Sequence, residues 1–272
     1  MKVAIQGIKG SFHHIVAKSY FSEEIELVEC MTFSEMPKLL VSGKVDALIM
    51  AIENSIAASI LPNYALIDQY QLNIIGEYHL NIAQNLMCLK GQNIEDIKEV
   101  YSHPMALLQC AKFFENYPHI KLIEDKDTAE VARRIHENKL SGVGAIASSL
   151  AANIYDLEII GEGIQTIKNN ATRFFVLDRN EEVRFEEGNK ASIRFTASHE
   201  AGSLGGILTA FGNNNVSLSK IQSMPVIETP WRYAFFADLI FDKYEDYENS
   251  LNDIAPLVQS IKIIGEYKKS KR

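Results

Sequence analysis

Asn169-Asn170-Ala171-Thr172-Arg173-Phe174-Phe175-Val176-Leu177 sets a hydroxyl and a guanidinium at the mouth of an apolar run that reads as a buried strand. Two fixed hydrogen-bonding groups at the edge of a rigid element suit small-ligand chemistry. Taken alone, a strand entering a sheet with a polar first turn is the simpler reading. The place of this stretch in the chain is what decides the fold, because two similar patterns precede it.

In the first, a strand over 3–6 runs through Gly7-Ile8-Lys9-Gly10-Ser11 into a helix ending near Phe21. A strand over 25–30 follows, then a helix opened by Thr32-Phe33-Ser34-Glu35, whose Thr and Glu fit a capping box, and a strand over 45–52. In the second, a strand over 99–101 leads through Ser102-His103-Pro104 into a helix to about Asn116. A strand over 120–123, a helix capped by Asp127-Thr128-Ala129-Glu130 and a strand over 143–147 complete it. Each is a βαβαβ unit, which implies parallel strands with right-handed crossovers. Residues 73–89 run extended between the units, and 172–177 make the return crossing. Two crossings between two α/β lobes predict a hinged body of the type II periplasmic-binding-protein kind. Ligand is expected in its cleft, where loops after strand ends converge.

The composition turns charged at 179–189, a linker pattern. Beyond it the order strand, helix, strand, strand, helix, strand predicts a ferredoxin-like βαββαβ unit, with strands expected over 191–197, 216–223, 231–241 and 261–267. The expected division is a ligand-handling domain over 1–178, with lobe 1 about 1–75 and 158–178 and lobe 2 about 76–157, then the linker, then a small domain over 190–272.

The 272 residues carry 27 basic and 35 acidic side chains, so the formal charge is 27 − 35 = −8. An acidic balance argues against nucleic acid as a partner. Lys268-Lys269-Ser270-Lys271-Arg272 reads as a solvated tail. Cys30, Cys88 and Cys110 are far apart and fit no metal-ligand spacing, so packed thiols and no metal are expected. The opening residues read as a strand and not as a leader, and no apolar run approaches the roughly 20 residues of a membrane span. A cytoplasmic protein is expected.

Four segments can carry chemistry. The glycine loop 7–11 offers N–H groups at a helix start, which suits a carboxylate or phosphate, or is an ordinary tight turn with Ser11 as the cap. Glu53-Asn54-Ser55 follows a strongly apolar strand, where it serves either a cleft or a turn. Ser102-His103-Pro104 opens a helix that carries Gln109, with Ser102 or His103 as its cap. His103 alone is a poor catalytic candidate, since no partner is spaced for a triad. The fourth is Thr172-Arg173-Phe174. All four fall at lobe-facing loops of the deduced fold.

Together these segments resemble the prephenate dehydratases, lyases that make phenylpyruvate from prephenate on the route to phenylalanine. The resemblance spans nearly the whole chain. It rests on the opening glycine-serine loop, Ile52-Glu53-Asn54-Ser55, Ser102-His103-Pro104 with Gln109-Cys110, Asp127-Thr128-Ala129, Ala145-Ile146-Ala147-Ser148 and Asn170-Ala171-Thr172-Arg173-Phe174. It implies Thr172 as the catalytic hydroxyl. Ser11, Asn54, Ser55, Ser102, Gln109, Arg173 and Phe174 are implied around the substrate, with Glu53 supporting; Arg173 is left to pair with either substrate or Glu53.

The C-terminal unit resembles the regulatory ACT domain of that family. Ala201, Gly202, Ser203 and Leu204 match its Gly-Ala-Leu effector loop, and Gln222, Ser223, Met224 and Pro225 its Glu-Ser-Arg-Pro segment. The resemblance implies L-phenylalanine as effector, a homodimer or dimer of dimers, and no cofactor. Several positions depart from the family pattern: Ala58 stands where glycine is usual, Met105 where glutamine commonly follows His-Pro, Ser11 in place of threonine, and Gln222 and Met224 in place of charged residues. Two other readings remain, an arogenate dehydratase and a non-enzymatic two-lobed amino-acid sensor.

Overall fold

The computed structural model describes residues 1–21, 24–179, 184–198, 200–226 and 233–270. Residues 180–183 of the expected linker, Trp231 and Arg232 of an expected strand, and Lys271 and Arg272 of the basic tail lie outside the described residues.

The chain runs β1 (Lys2–Gln6), α1 (Phe12–Phe21), β2 (Glu26–Cys30), α2 (Met36–Val41), β3 (Ala47–Asn54), β4 (Ala58–Ser59), α3 (Leu61–Gln69) and β5 (Asn73–Asn81). It continues through β6 (Asn85–Cys88), β7 (Glu99–Ser102), α4 (Pro104–Phe114), β8 (Lys121–Glu124), α5 (Thr128–Asn138), β9 (Val143–Ala147), α6 (Ser149–Ile154), β10 (Glu158–Gly161) and β11 (Ala171–Asp178). The last part is β12 (Lys190–Ala197), α7 (Ser203–Asn213), β13 (Ser217–Pro225), β14 (Tyr233–Ile240), α8 (Tyr244–Ile254) and β15 (Val258–Tyr267).

Both βαβαβ units form as the alternation predicts. β1 pairs in parallel with β2 and β3, and β7 in parallel with β8 and β9. The first sheet has the order β2-β1-β3-β11-β5 with β4 against β3, the second β10-β6-β9-β7-β8. β3 and β11 are apolar without alternation because both faces are covered, so Leu48, Ile49, Met50 and Val176 are all buried. One lobe boundary is corrected: β10, expected in lobe 1, pairs antiparallel with β6 in the second sheet, where Ile159 meets Met87. The reason is local, since Leu157 and Ile159 pack with Met87 and Ala145.

Two helices start or stop differently from expectation. Thr32 and Glu35 bond side chain to side chain, and α2 begins only at Met36, with Pro37 in its first turn. α8 covers residues 244–254 instead of 247–259, because Pro256 cannot continue a helix and a short 3-10 turn leads into β15.

The chain divides into two compact units, Met1–Asn63 with Tyr78–Phe174, and Tyr64–Glu77 with Phe175–Arg272. This differs from a division at 178, and it passes within α3, β5 and β11. The second unit holds an antiparallel sheet of order β13-β14-β12-β15, the βαββαβ arrangement expected. α7 and α8 cover one face through Ile207, Phe211, Tyr247 and Ile254. Residues 64–77 belong here by contact. Tyr64 lies 5.2 Å from the Phe236 ring, and a Cβ on Gly265 would come within 2.1 Å of the Ile74 carbonyl oxygen, so no other residue fits there.

Cys30, Cys88 and Cys110 are free and buried. Burial pushes the Cys30 and Cys88 thiols up to about 11 and Cys110 up to about 12, which keeps them protonated. Among the described residues, no helix is long and apolar enough to cross a membrane.

Candidate active site

A cleft of about 420 Å³ opens in the first unit, a volume that suits a small ring compound. Its walls come from the carboxyl ends of β1 and β3, the start of β11 and the starts of α1, α4 and α5. Ser11, Asn54, Gln109, Thr172 and Phe174 line it, as the sequence motifs imply.

Thr172 is the second residue of β11, 9% exposed, and its Oγ1 accepts a hydrogen bond from Asn54 Nδ2 at 2.9 Å. The turn after β3 orients that amide. Asn54 Oδ1 accepts from the Ile56 and Ala57 N–H groups, both at 2.9 Å, which leaves Nδ2 to reach Thr172 and Asn170 Oδ1. A hydroxyl has one proton and two lone pairs. With Asn54 donating to one lone pair, the Thr172 proton is available to an acceptor in the cleft. Asn170, fully buried, donates in turn to Gln109 Oε1 at 3.1 Å, and Gln84 Nε2 approaches the same oxygen. This chain of amides ties the start of β11 to α4.

Three implied substrate contacts are corrected, because protein partners already hold them. Ser102 is fully buried and donates to the Ile146 carbonyl at 2.7 Å, pinning β7 to β9. Ser55 accepts from Ala171 N–H at 3.0 Å and donates to the Asn169 carbonyl, so it braces the turn and does not line the cleft. Arg173 is 3% exposed, pairs with Glu53 at 3.2 Å and does not line the cleft.

The glycine loop is a tight turn and not an anion cradle. Its N–H groups at Gly7, Lys9, Gly10 and Ser11 go to the Cys30 carbonyl, Glu29, His14 and the Ile8 carbonyl. Gly10, at φ +95°, lets the turn touch α6: a Cβ there would sit 2.9 Å from the Ala151 Cα. Ser11 caps α1 by accepting from His14 N–H at 3.2 Å.

Several residues of the cleft carry no implied role in the sequence motifs. His13 stands edge-on to Phe174 with ring centroids 5.0 Å apart and tilts against Phe33 at 5.5 Å, forming an aromatic wall. Burial pushes His13 down to about 3, so it is a neutral ring in this wall. Its adjacency to Ser11 is the one sequence signal for it. Asp127 caps α5 by accepting from Glu130 N–H at 2.8 Å, and its other oxygen faces Gly7. Burial raises the Asp127 carboxyl above its ordinary value. His103 caps α4 through Nδ1, which accepts from Met105 N–H, and Lys126 lines the same cleft.

The residues matched to the effector loop and segment lie in the second unit. Ala201 and Gly202 are exposed at the start of α7, with Gly202 at φ +88°. Ser203 donates to the Ser198 carbonyl, and Leu204 packs on the core. Gln222, Ser223, Met224 and Pro225 run along the edge strand β13, paired with 233–236 of β14. Met224 and Pro225 line a separate groove of about 740 Å³ with Arg194 and Lys262.

The family model described as prephenate dehydratase matches residues 3–182. The chain belongs to the prephenate dehydratase family. Members of this family are lyases, and the Asn54–Thr172–Gln109 constellation lies within the matched part. The chain is 37% identical over 262 residues to arogenate dehydratase/prephenate dehydratase 1, chloroplastic, of Arabidopsis thaliana, covering 93% of this chain and 66% of that protein. Two solved structures show the same fold. Prephenate dehydratase of Arthrobacter aurescens in complex with L-Phe has TM-score 0.86 and 22% identity, covering 99% of this chain and 90% of that one. A structure described as GqqA, a novel type of quorum quenching acylase, has TM-score 0.89 and 21% identity, covering 99% and 98%. At such identities the likeness speaks for the fold alone.

Proposed function

We propose that the cleft converts prephenate to phenylpyruvate, carbon dioxide and water, with Thr172 as the group that assists the departing hydroxide. The observation that carries this is the Thr172 hydroxyl, held by Asn54 Nδ2 with its proton left for the cleft. The bond from the ring to its carboxylate breaks and its electron pair enters the ring. The bond to the ring hydroxyl breaks with its own pair, and the leaving hydroxide takes up one proton to become water. Aromatisation drives the step, so the protein's task is to bind, align and protonate. A threonine hydroxyl is a very weak acid, so it hydrogen-bonds the leaving oxygen and the proton is relayed through water. Such assistance is typically worth about 10²–10⁴-fold, with positioning supplying the rest. Ser11, Asn54 and Gln109 orient the substrate, and the His13–Phe33–Phe174 wall faces the ring.

Residues 1–178 then form the catalytic part and 190–272 an ACT regulatory part. Phenylalanine acts as effector near Ala201–Leu204 and 222–225 of a homodimer or dimer of dimers, in the cytoplasm. The βαββαβ order and the L-Phe in the Arthrobacter aurescens structure support this assignment. The Arabidopsis thaliana relative's double name favours measuring arogenate beside prephenate.

The experiment follows phenylpyruvate formation by the purified chain, with and without phenylalanine, and compares kcat/KM for the two substrates. Turnover of prephenate, lowered by phenylalanine, is the expected result. No turnover of either substrate, with amino-acid binding intact, identifies a sensor instead.

A further inference from the structure

Prephenate carries two carboxylates, and a cation at the cleft would offset their charge. The guanidinium that the sequence offers, Arg173, is 3% exposed, pairs with Glu53 and does not line the cleft. The glycine-loop N–H groups named above are spent within the protein. Among the described residues that line the cleft, Lys126 is the one lysine or arginine.

The loop after β8 is built to leave that ammonium unclaimed. Its flanking carboxylates would be the natural partners of Lys126, and both are engaged elsewhere. Asp125 pairs with Arg134 at 2.6 Å, and its N–H donates to the Ser102 carbonyl at 2.8 Å. Asp127 turns inward to cap α5. Glu130, one helical turn on, pairs with Arg133 at 2.6 Å. Among the described residues, no carboxylate lies within ion-pairing distance of the Lys126 Nζ. Lys126 itself is exposed, and with His103 it borders both the cleft and an adjoining groove that contains Arg133 and Arg134. An exposed lysine normally spends its charge on solvent or a nearby acid. This one stands at the rim of the cleft, while Asp125 and Glu130 pair with arginines and Asp127 caps α5.

We infer that the Lys126 ammonium receives a carboxylate of the doubly negative substrate and is the positioning residue that selects for it. This rests on the prephenate reading above. A rim cation acts on binding and encounter more than on bond breaking, so its signature is in KM and in salt dependence.

The test compares wild type with Lys126→Met and Lys126→Arg, using prephenate at rising salt. A hydrogen-bonded ion pair of this kind corresponds to a KM increase of about 10- to 100-fold in Lys126→Met. Its kcat stays near wild type, Lys126→Arg restores most of the KM, and the salt dependence of KM flattens in the methionine variant alone. Because Lys126 is exposed, circular dichroism is expected to be unchanged in both. Wild-type turnover with an unaltered KM in Lys126→Met overturns this inference and leaves the functional reading standing. Equal KM losses in the methionine and arginine variants overturn it as well, since charge would then not be the cause. A wild-type chain that leaves prephenate unconverted removes both.

Discussion

Thr172 depends on a single long-range hydrogen bond, because Asn54 and Thr172 are 118 positions apart in the chain. Replacing it with valine removes the hydroxyl and keeps the shape. Asn54 Nδ2 is not orphaned by the change, since it also donates to Asn170 Oδ1 at 2.7 Å. Thr172→Val is therefore expected to fold normally and to lower kcat by about 10²–10⁴-fold; near wild-type turnover would take the hydroxyl out of the mechanism. His13 carries a different prediction, in stability. Its folded value near 3 lies below the unfolded value of about 6.5. Between those values the unfolded chain binds a proton that the folded chain refuses. Stability from this group is complete above about pH 6.5 and falls as pH drops towards 3. His13→Gln should flatten that part of the pH profile of the urea midpoint, whereas parallel profiles for the two proteins would speak against it.

At the scale of elements, the hairpin between β3 and β4 shows why a family position usually filled by glycine matters. Asn54 pairs with Ala58 across three loop residues, and Ala58 sits at φ +64°. That is the left-handed position which closes a three-residue hairpin loop and which glycine fills at least cost. Because Ala58 is exposed, no packing is lost on trimming it. Ala58→Gly is expected to stabilise the chain by about 0.5–1 kcal/mol, read as a higher denaturation midpoint. The same turn holds the Asn54 amide, so strain at Ala58 is stored beside the candidate catalytic pair. Caps behave more legibly. Asp127 was readable as the start of α5 because an aspartate three residues before a glutamate, ahead of an apolar helical pattern, is a local signal.

For the molecule as a whole, the second unit depends on a buried ion pair. Lys190 Nζ lies 2.7 Å from Glu77 Oε2, with side chains 4% and 0% exposed. Glu77 also accepts from Ser270 N–H. Lys190→Met strands a buried carboxylate, and removing one partner of such a pair typically costs about 3–5 kcal/mol. A large fall in melting temperature is expected, with much of it recovered in the double variant Glu77→Gln/Lys190→Met. If Lys190→Met melts like wild type, the pair is not structural.

The order of the βαβαβ and βαββαβ units was legible in the amino-acid sequence, because strand and helix periods, caps and proline stops act over a few neighbouring residues, whereas β4, α3 and α6 were not read from it. The two βαβαβ units, the βαββαβ unit, the Asp127 cap and a threonine at the mouth of β11 all follow from such short-range rules. Which polar side chains meet the cleft did not follow. Ser55, Ser102 and Arg173 look like ligand groups in their motifs, yet Asn169, Ile146 and Glu53 hold them. His13 and Lys126 look ordinary and face the cavity. A polar group's role depends on which partner reaches it first, and those partners lie tens to more than a hundred residues away in the chain. Only the packing of the sheets brings them within hydrogen-bonding distance, so only the tertiary structure decides which groups are left for a ligand.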